Sequence, residues 1–145
     1  MIMQTDETDA ALMALLAENA RLPVATLARR LGLARTTVQA RIDRLEAGGA
    51  IAGYTLRRGA QARPPLHATA LLSVEPRAGA AVLARLKTLS QVKRVHTASG
   101  RFDMIVELAA DSTAALDETL DRIGEAKGVR SSESLIHLST KLDRA

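Results

Sequence analysis

The stretch PVATLARRLGLARTTVQARIDRLEA, Pro23 to Ala47, decides the fold of the first part of the chain. Leu27, Ala28 and Leu31 place one apolar stripe on a short helix. Pro23 stands where a first helical turn tolerates it, because that N–H has no intrahelical partner. Gly32 can adopt the left-handed conformation that stops a helix, and Leu33 then turns back toward the core. A second helix begins near Ala34 or Arg35, with Val38, Ile42 and Leu45 as its buried seam. At 100° per residue its opposite face carries Thr36, Gln39, Ala40 and Asp43, flanked by Thr37, Arg41 and Arg44. A short, polar and cationic face of this kind suits a helix that enters a DNA major groove. The pattern is a helix-turn-helix, with the small Ala28 allowing the two helices to approach closely.

Charge supports the same reading. Between Arg21 and Arg63 nine arginines face only Asp43 and Glu46, although the whole chain is just +4. The positive charge is thus concentrated on the suspected reading segment, the footprint expected of a phosphate binder. Arg35, at the start of the second helix, is expected on phosphates with Arg41 and Arg44. Thr36 and Gln39 are expected at base edges.

Outward from this core, Asp6 reads as an N-cap with Asp9 in the first turn of a preceding helix that carries Leu12, Leu15 and Leu16. That helix supplies the third wall of a three-helix unit. Beyond Gly48 and Gly49, residues 50–56 read as a strand ending at Arg57 and Arg58, a wing whose two arginines are expected near backbone phosphates. The expected organisation is a winged helix-turn-helix over residues 1–58 and a linker, GAQARPP and its neighbour, over 59–66. The two prolines should make the linker stiff.

Residues 67–145 change character. Alternation over His67–Glu75 indicates a strand, and Val82, Leu83, Leu86 and Leu89 mark a helix. Val92–Ser99 and Asp103–Ala109 read as strands joined by Gly100-Arg101-Phe102. Ser112 or Thr113 caps a second helix that Gly128 stops, and a last strand runs from about Val129 to Ser139. The order βαββαβ is the ferredoxin-like plan, an α+β architecture with both helices on one side of an antiparallel sheet. Leu71, Val95, Ile105 and Leu135 or Ile136 are expected on the uncovered side, where a second copy is the simplest cover.

Composition narrows the function classes. The chain of 145 residues has no cysteine, which excludes disulfides, thiolate zinc sites and thiol catalysis. No stretch approaches the roughly 18 apolar residues of a membrane span, and the acidic first ten residues do not read as a signal peptide, so a cytoplasmic location is expected. His67, His96 and His137 show no metal-ligand spacing, and Gly48-Gly49 sits in no phosphate-loop pattern.

With these features in place, the chain resembles the Lrp/AsnC family of transcription regulators over essentially its full length. The resemblance rests on Asp6-x-x-Asp9 with Leu12, Leu15 and Leu16, on Asn19-Ala20-Arg21, and on the block from Leu27 to Thr55. Within that block it includes Arg41, Leu45, Gly49 and Ile51, with Tyr54 near its end. SGRFD, Ser99 to Asp103, is similar to the family's Gly-x-Tyr-Asp loop, with Phe102 in place of Tyr. Ala34 stands where the family has a Ser N-cap, a loss of about 1 kcal/mol. The resemblance implies double-stranded DNA as a partner, a homodimer that assembles further, for example to an octamer, and an amino-acid effector without any cofactor or metal. It places effector contacts at Ser99, Gly100, Arg101, Phe102 and Asp103. The residues themselves leave two readings of that loop open: a carboxylate facing a ligand ammonium, or an ordinary turn capped by Asp103. Two other functions share features with this plan. One is an enzyme resembling the siroheme decarboxylases, and the other is an interaction module without DNA binding.

Overall fold

The computed structural model describes residues 4–144 and divides between Arg57 and Arg58 into two units. In the first, α1 (Glu7–Glu18), α2 (Val24–Leu31) and α3 (Arg35–Ala47) enclose a core of Leu12, Leu16, Leu27, Ala28, Val38, Ile42 and Leu45. A reciprocal capping box opens α1: the Asp9 N–H donates to Asp6 Oδ1 at 2.7 Å and the Asp6 N–H to Asp9 Oδ2 at 3.2 Å. Gly32 ends α2 at φ +66°, and the Leu33 N–H donates to the Ala28 carbonyl at 2.9 Å, which closes the tight turn into α3. Ala34 caps α3 without a side-chain hydrogen bond, as its lack of an oxygen requires.

The wing takes a different form from the one read above. The Ile51 N–H still bonds the Leu45 carbonyl at 3.0 Å, but residues 52–58 form no strand. A strand exists only through a partner ladder, and among its described residues the first unit has no strand.

The second unit contains a short 3₁₀ turn at Ala60–Ala62, then β1 (Leu66–Val74), α4 (Gly79–Lys87), β2 (Val92–Thr97), β3 (Met104–Ala110), α5 (Thr113–Gly124) and β4 (Val129–Ile136). The strands lie in the order β2-β3-β1-β4, all antiparallel, which is the ferredoxin-like topology. Strict alternation on β1 buries Ala68, Ala70, Leu72 and Val74 against α4 and α5, through Val82, Leu86, Leu116 and Ile123. Ser112, rather than Thr113, caps α5, its Oγ accepting from the Ala115 N–H at 3.1 Å. Gly128 sits at φ +100°, where an added Cβ would lie 2.6 Å from that of Ala78, so both backbone and space demand glycine.

Two of the residues expected on the uncovered sheet side belong elsewhere. Val95 pairs with the fully buried Val106 and packs on the helix-covered core, because a register shift between Val92 and Arg94 changes the alternation of β2. Ile136 pairs with Ala68, which also points into the core, so Leu135 is the residue of that pair on the open side. The apolar set there is Leu71, Ile105 and Leu135, with Leu71 opposite Ile105. Strand β4 also ends earlier than expected. His137 lies just beyond it, its N–H bonding the His67 carbonyl at 2.9 Å.

Candidate DNA-reading face and effector loop

The buried seam of α3 turns the opposite residues outward. Thr36, Gln39, Ala40 and Asp43 are exposed, as are Arg35, Thr37 and Arg44. Thr36, Thr37, Ala40, Arg41 and Arg44 line a shallow hollow of about 460 Å³. Small side chains and two guanidinium groups line it together. Gln39 Nε2 donates to Asp43 Oδ1 at 2.8 Å along one turn of the helix.

Arg41 and Arg44 have a second set of partners that sequence reading did not identify. Arg41 Nη1 lies 2.8 Å from Asp6 Oδ2 and 3.0 Å from Asp9 Oδ1, and Arg44 Nη2 lies 2.5 Å from Asp9 Oδ2. The Asp9 side chain has no exposure, whereas those of Arg41 and Arg44 are 25% and 52% exposed. A carboxylate so buried requires paired charge, and the two guanidinium groups supply it. The Arg41 hydrogen bond, aided by the Asp9 backbone N–H, holds the Asp6 carboxyl below its ordinary range. Asp6 and then Asp9 raise Arg41 in turn. Arg41 thus links α3 to the start of α1, and Arg44, bonded to the same buried carboxylate, keeps about half of its side chain exposed. One signal was available in the sequence: two aspartates three apart at the start of α1 and two arginines three apart on one face of α3.

Arg57 Nη2 donates to the Glu18 carbonyl at 3.2 Å, so the segment after α3 returns to the end of α1. Arg58 groups with the second unit, where its carbonyl accepts from Arg63 Nε at 2.7 Å.

The five residues Ser99 to Asp103 form one turn between β2 and β3, with Gly100 at φ +121°. Asp103 is fastened to β1: its N–H donates to the Leu72 carbonyl at 2.8 Å, and its Oδ2 accepts from the Val74 N–H at 2.7 Å. One carboxylate oxygen therefore ties the loop to the end of β1. The Arg101 guanidinium lies 4.9 Å from the Phe102 ring centroid and 3.1 Å from Glu133, so the cation is held above the loop from two sides. The histidines make local contacts: the His67 and His137 rings stack at 6.4 Å, His137 Nε2 lies 2.8 Å from Thr69 Oγ1, and His96 is 3.9 Å from Glu107. Among the described residues no group of three His, Cys, Asp or Glu side chains could hold a metal ion, and no helix is long and apolar enough to cross a membrane.

Comparison with known proteins places both units. Residues 6–46 match the AsnC-type helix-turn-helix domain, and residues 67–145 match the Lrp/AsnC ligand binding domain. The chain is 29% identical over 133 residues to the HTH-type transcriptional regulator LrpA of Mycobacterium tuberculosis, covering 90% of this chain and 89% of that one. It is 27% identical over 141 residues to the HTH-type transcriptional regulator FL11 of Pyrococcus abyssi, covering 97% and 93%. Among solved structures, AsnC of E. coli matches with a TM-score of 0.90 at 23% identity, covering 99% and 98%. A Neisseria meningitidis transcriptional regulator solved as its L-Met complex matches with 0.88 at 22% identity, covering 97% and 94%. At these identities the two structures speak to the fold.

Proposed function

The chain belongs to the Lrp/AsnC family of DNA-binding transcription regulators, and we propose that it senses an amino acid or related small molecule through changes in how its copies assemble. In this reading α3 enters the major groove with Thr36 and Gln39 at base edges and with Arg35 and Arg44 on phosphates, while Arg41 keeps α3 in place. A two-fold dimer presents two such helices, so the operator is a pseudo-palindrome with half-sites one helical turn or a multiple apart. The protein works in the cytoplasm, where its DNA is.

The observation that carries the assembly reading is the open side of the sheet. Leu71 and Ile105 face each other there, and Leu135 is 50% exposed on the neighbouring strand. An apolar sheet face of this kind is covered in a stable protein, and a second copy related by a two-fold covers it with its own. Higher assembly of dimers then brings effector loops together. The ligand-binding character of the matched domain and the L-Met complex of the Neisseria relative support an amino acid as the effector. Asp103 holds the loop with one carboxylate oxygen and offers the other to an ammonium group. Linkage limits the effector: it alters DNA binding only as far as it favours one assembly over another.

A thermal-shift screen of the common amino acids, followed by light scattering with and without each hit, tests the proposal. A stabilising amino acid that also changes the molar mass is the expected result. An amino acid that changes DNA affinity while mass and shape stay constant would overturn the assembly mechanism.

A further inference from the structure

We infer that Asp43 is a positioning residue for sequence readout, fixing the amide of Gln39 in the orientation that selects adenine. The inference rests on the reading pose above, in which Gln39 meets a base edge. Asp43 is one of two acidic residues between Arg21 and Arg63, and it stands on the exposed face of α3 rather than away from it. The other, Glu46, accepts from the Tyr54 hydroxyl at 3.2 Å. Asp43 sets a carboxylate on the face that approaches the phosphates, a charge those phosphates repel. Neither neighbouring arginine relieves it by an ion pair, since Arg41 and Arg44 are bonded to Asp6 and Asp9.

What Asp43 does make is the 2.8 Å bond to Gln39 Nε2. An ionised carboxylate only accepts, so the amide must turn its NH₂ toward Asp43; the flipped amide would set a carbonyl oxygen against the negative charge. With one N–H committed, Gln39 keeps a second N–H and its carbonyl oxygen. That donor and acceptor match N7 and the N6 amino group of adenine in the major groove. Guanine offers acceptors at both N7 and O6, so a locked carbonyl oxygen rejects it. Without Asp43 the amide turns freely and can present its NH₂ to guanine.

The test is selection from a randomised duplex pool by the full-length wild type, Gln39→Ala, Asp43→Ala and Asp43→Asn, with affinity for a mixed-sequence duplex measured across salt concentrations. Gln39→Ala and Asp43→Ala should lose about tenfold preference at the same position of each half-site. Asp43→Ala should widen adenine to either purine there. Asp43→Asn, whose carbonyl oxygen can accept the same N–H, should recover most of the preference. Both Asp43 variants should bind the mixed-sequence duplex several-fold more tightly at low salt, because a charge facing the phosphates has gone. Loss of preference at a different position in Asp43→Ala would mean that Asp43 reads a base itself, and would overturn the inference. An unchanged preference in Asp43→Ala beside a changed one in Gln39→Ala would overturn the positioning role and leave the reading by Gln39 intact. An unchanged preference in Gln39→Ala would remove both.

Discussion

The two units solve the problem of orientation by different means. Among the described residues, the helical unit has a core of seven buried apolar side chains and one fully buried carboxylate, Asp9, held by two arginines. The sheet unit has a core of thirteen, and its buried polar side chain is Thr119, whose hydroxyl donates to the Ala115 carbonyl at 2.8 Å. Apolar contacts bury the seam of α3 and turn its opposite residues outward, but they are non-directional. Charge-assisted hydrogen bonds are directional, and in the helical unit they add to that seam a fixed link between α3 and the start of α1. The sheet needs no such device, since its ladders already fix every residue on one side or the other.

The sharpest way to break this contrast is to remove the buried charge. Asp9→Ala should destabilise the helical unit by about 3 kcal/mol, toward the lower end of the range for broken buried pairs because both arginines can turn to water. Hydrogen exchange should show lost protection in α1 to α3 and unchanged protection in β1 to β4. A uniform loss across both units would contradict the contrast. Next in size, Leu135→Asp on the open side of the sheet should weaken self-association by about 2 kcal/mol or more while the fold of each copy stays intact. Sedimentation equilibrium with circular dichroism checks it, and an unchanged association constant would remove that face from the interface.

A pair of arginine variants sharpens the difference between strut and contact. Arg35→Ala should lower the salt slope of DNA binding by about 1 without changing the melting temperature. Arg41→Ala should lower the melting temperature and leave the slope nearly as it was. The reverse assignment of effects would return Arg41 to the phosphate contacts. The smallest effect concerns pH. Asp6 has its carboxyl lowered from 3.8 in the folded protein, so its contribution is complete above that value and fades as pH falls through the lower folded value. Asp6→Asn should flatten the acid limb of a urea-unfolding series below pH 3.8, and an unaltered limb would show that the Arg41 bond contributes nothing to acid stability.

The residues that could be read from the chain are those whose partners lie nearby. Val38, Ile42 and Leu45 announce α3 by spacing alone, Gly32 announces the turn, and the alternation from Ala68 to Val74 announces β1 and its buried side. The bond between Asp9 and Arg41 was hidden because 32 residues separate its ends. Val95 was misplaced for a different reason. Alternation counts from a fixed start, and the register shift after Val92 inserts one residue into the count without any mark in composition. The wing needed a partner strand, which spacing cannot supply. The loop from Ser99 to Asp103 was visible as a turn, but the bond from Val74 that occupies one Asp103 oxygen was not.

That same register shift has a consequence for what copies of this chain can build. β2 and β4 are the two edges of the sheet, and an edge strand with regular unpaired backbone groups invites another strand to add to it indefinitely. On β2 the irregularity between Val92 and Arg94 interrupts that row, and Lys93, Arg94 and His96 are exposed along it. Growth by edge addition is blocked on that side by geometry and by charge together. The bulge therefore disfavours one route to open-ended growth, the addition of a strand to β2.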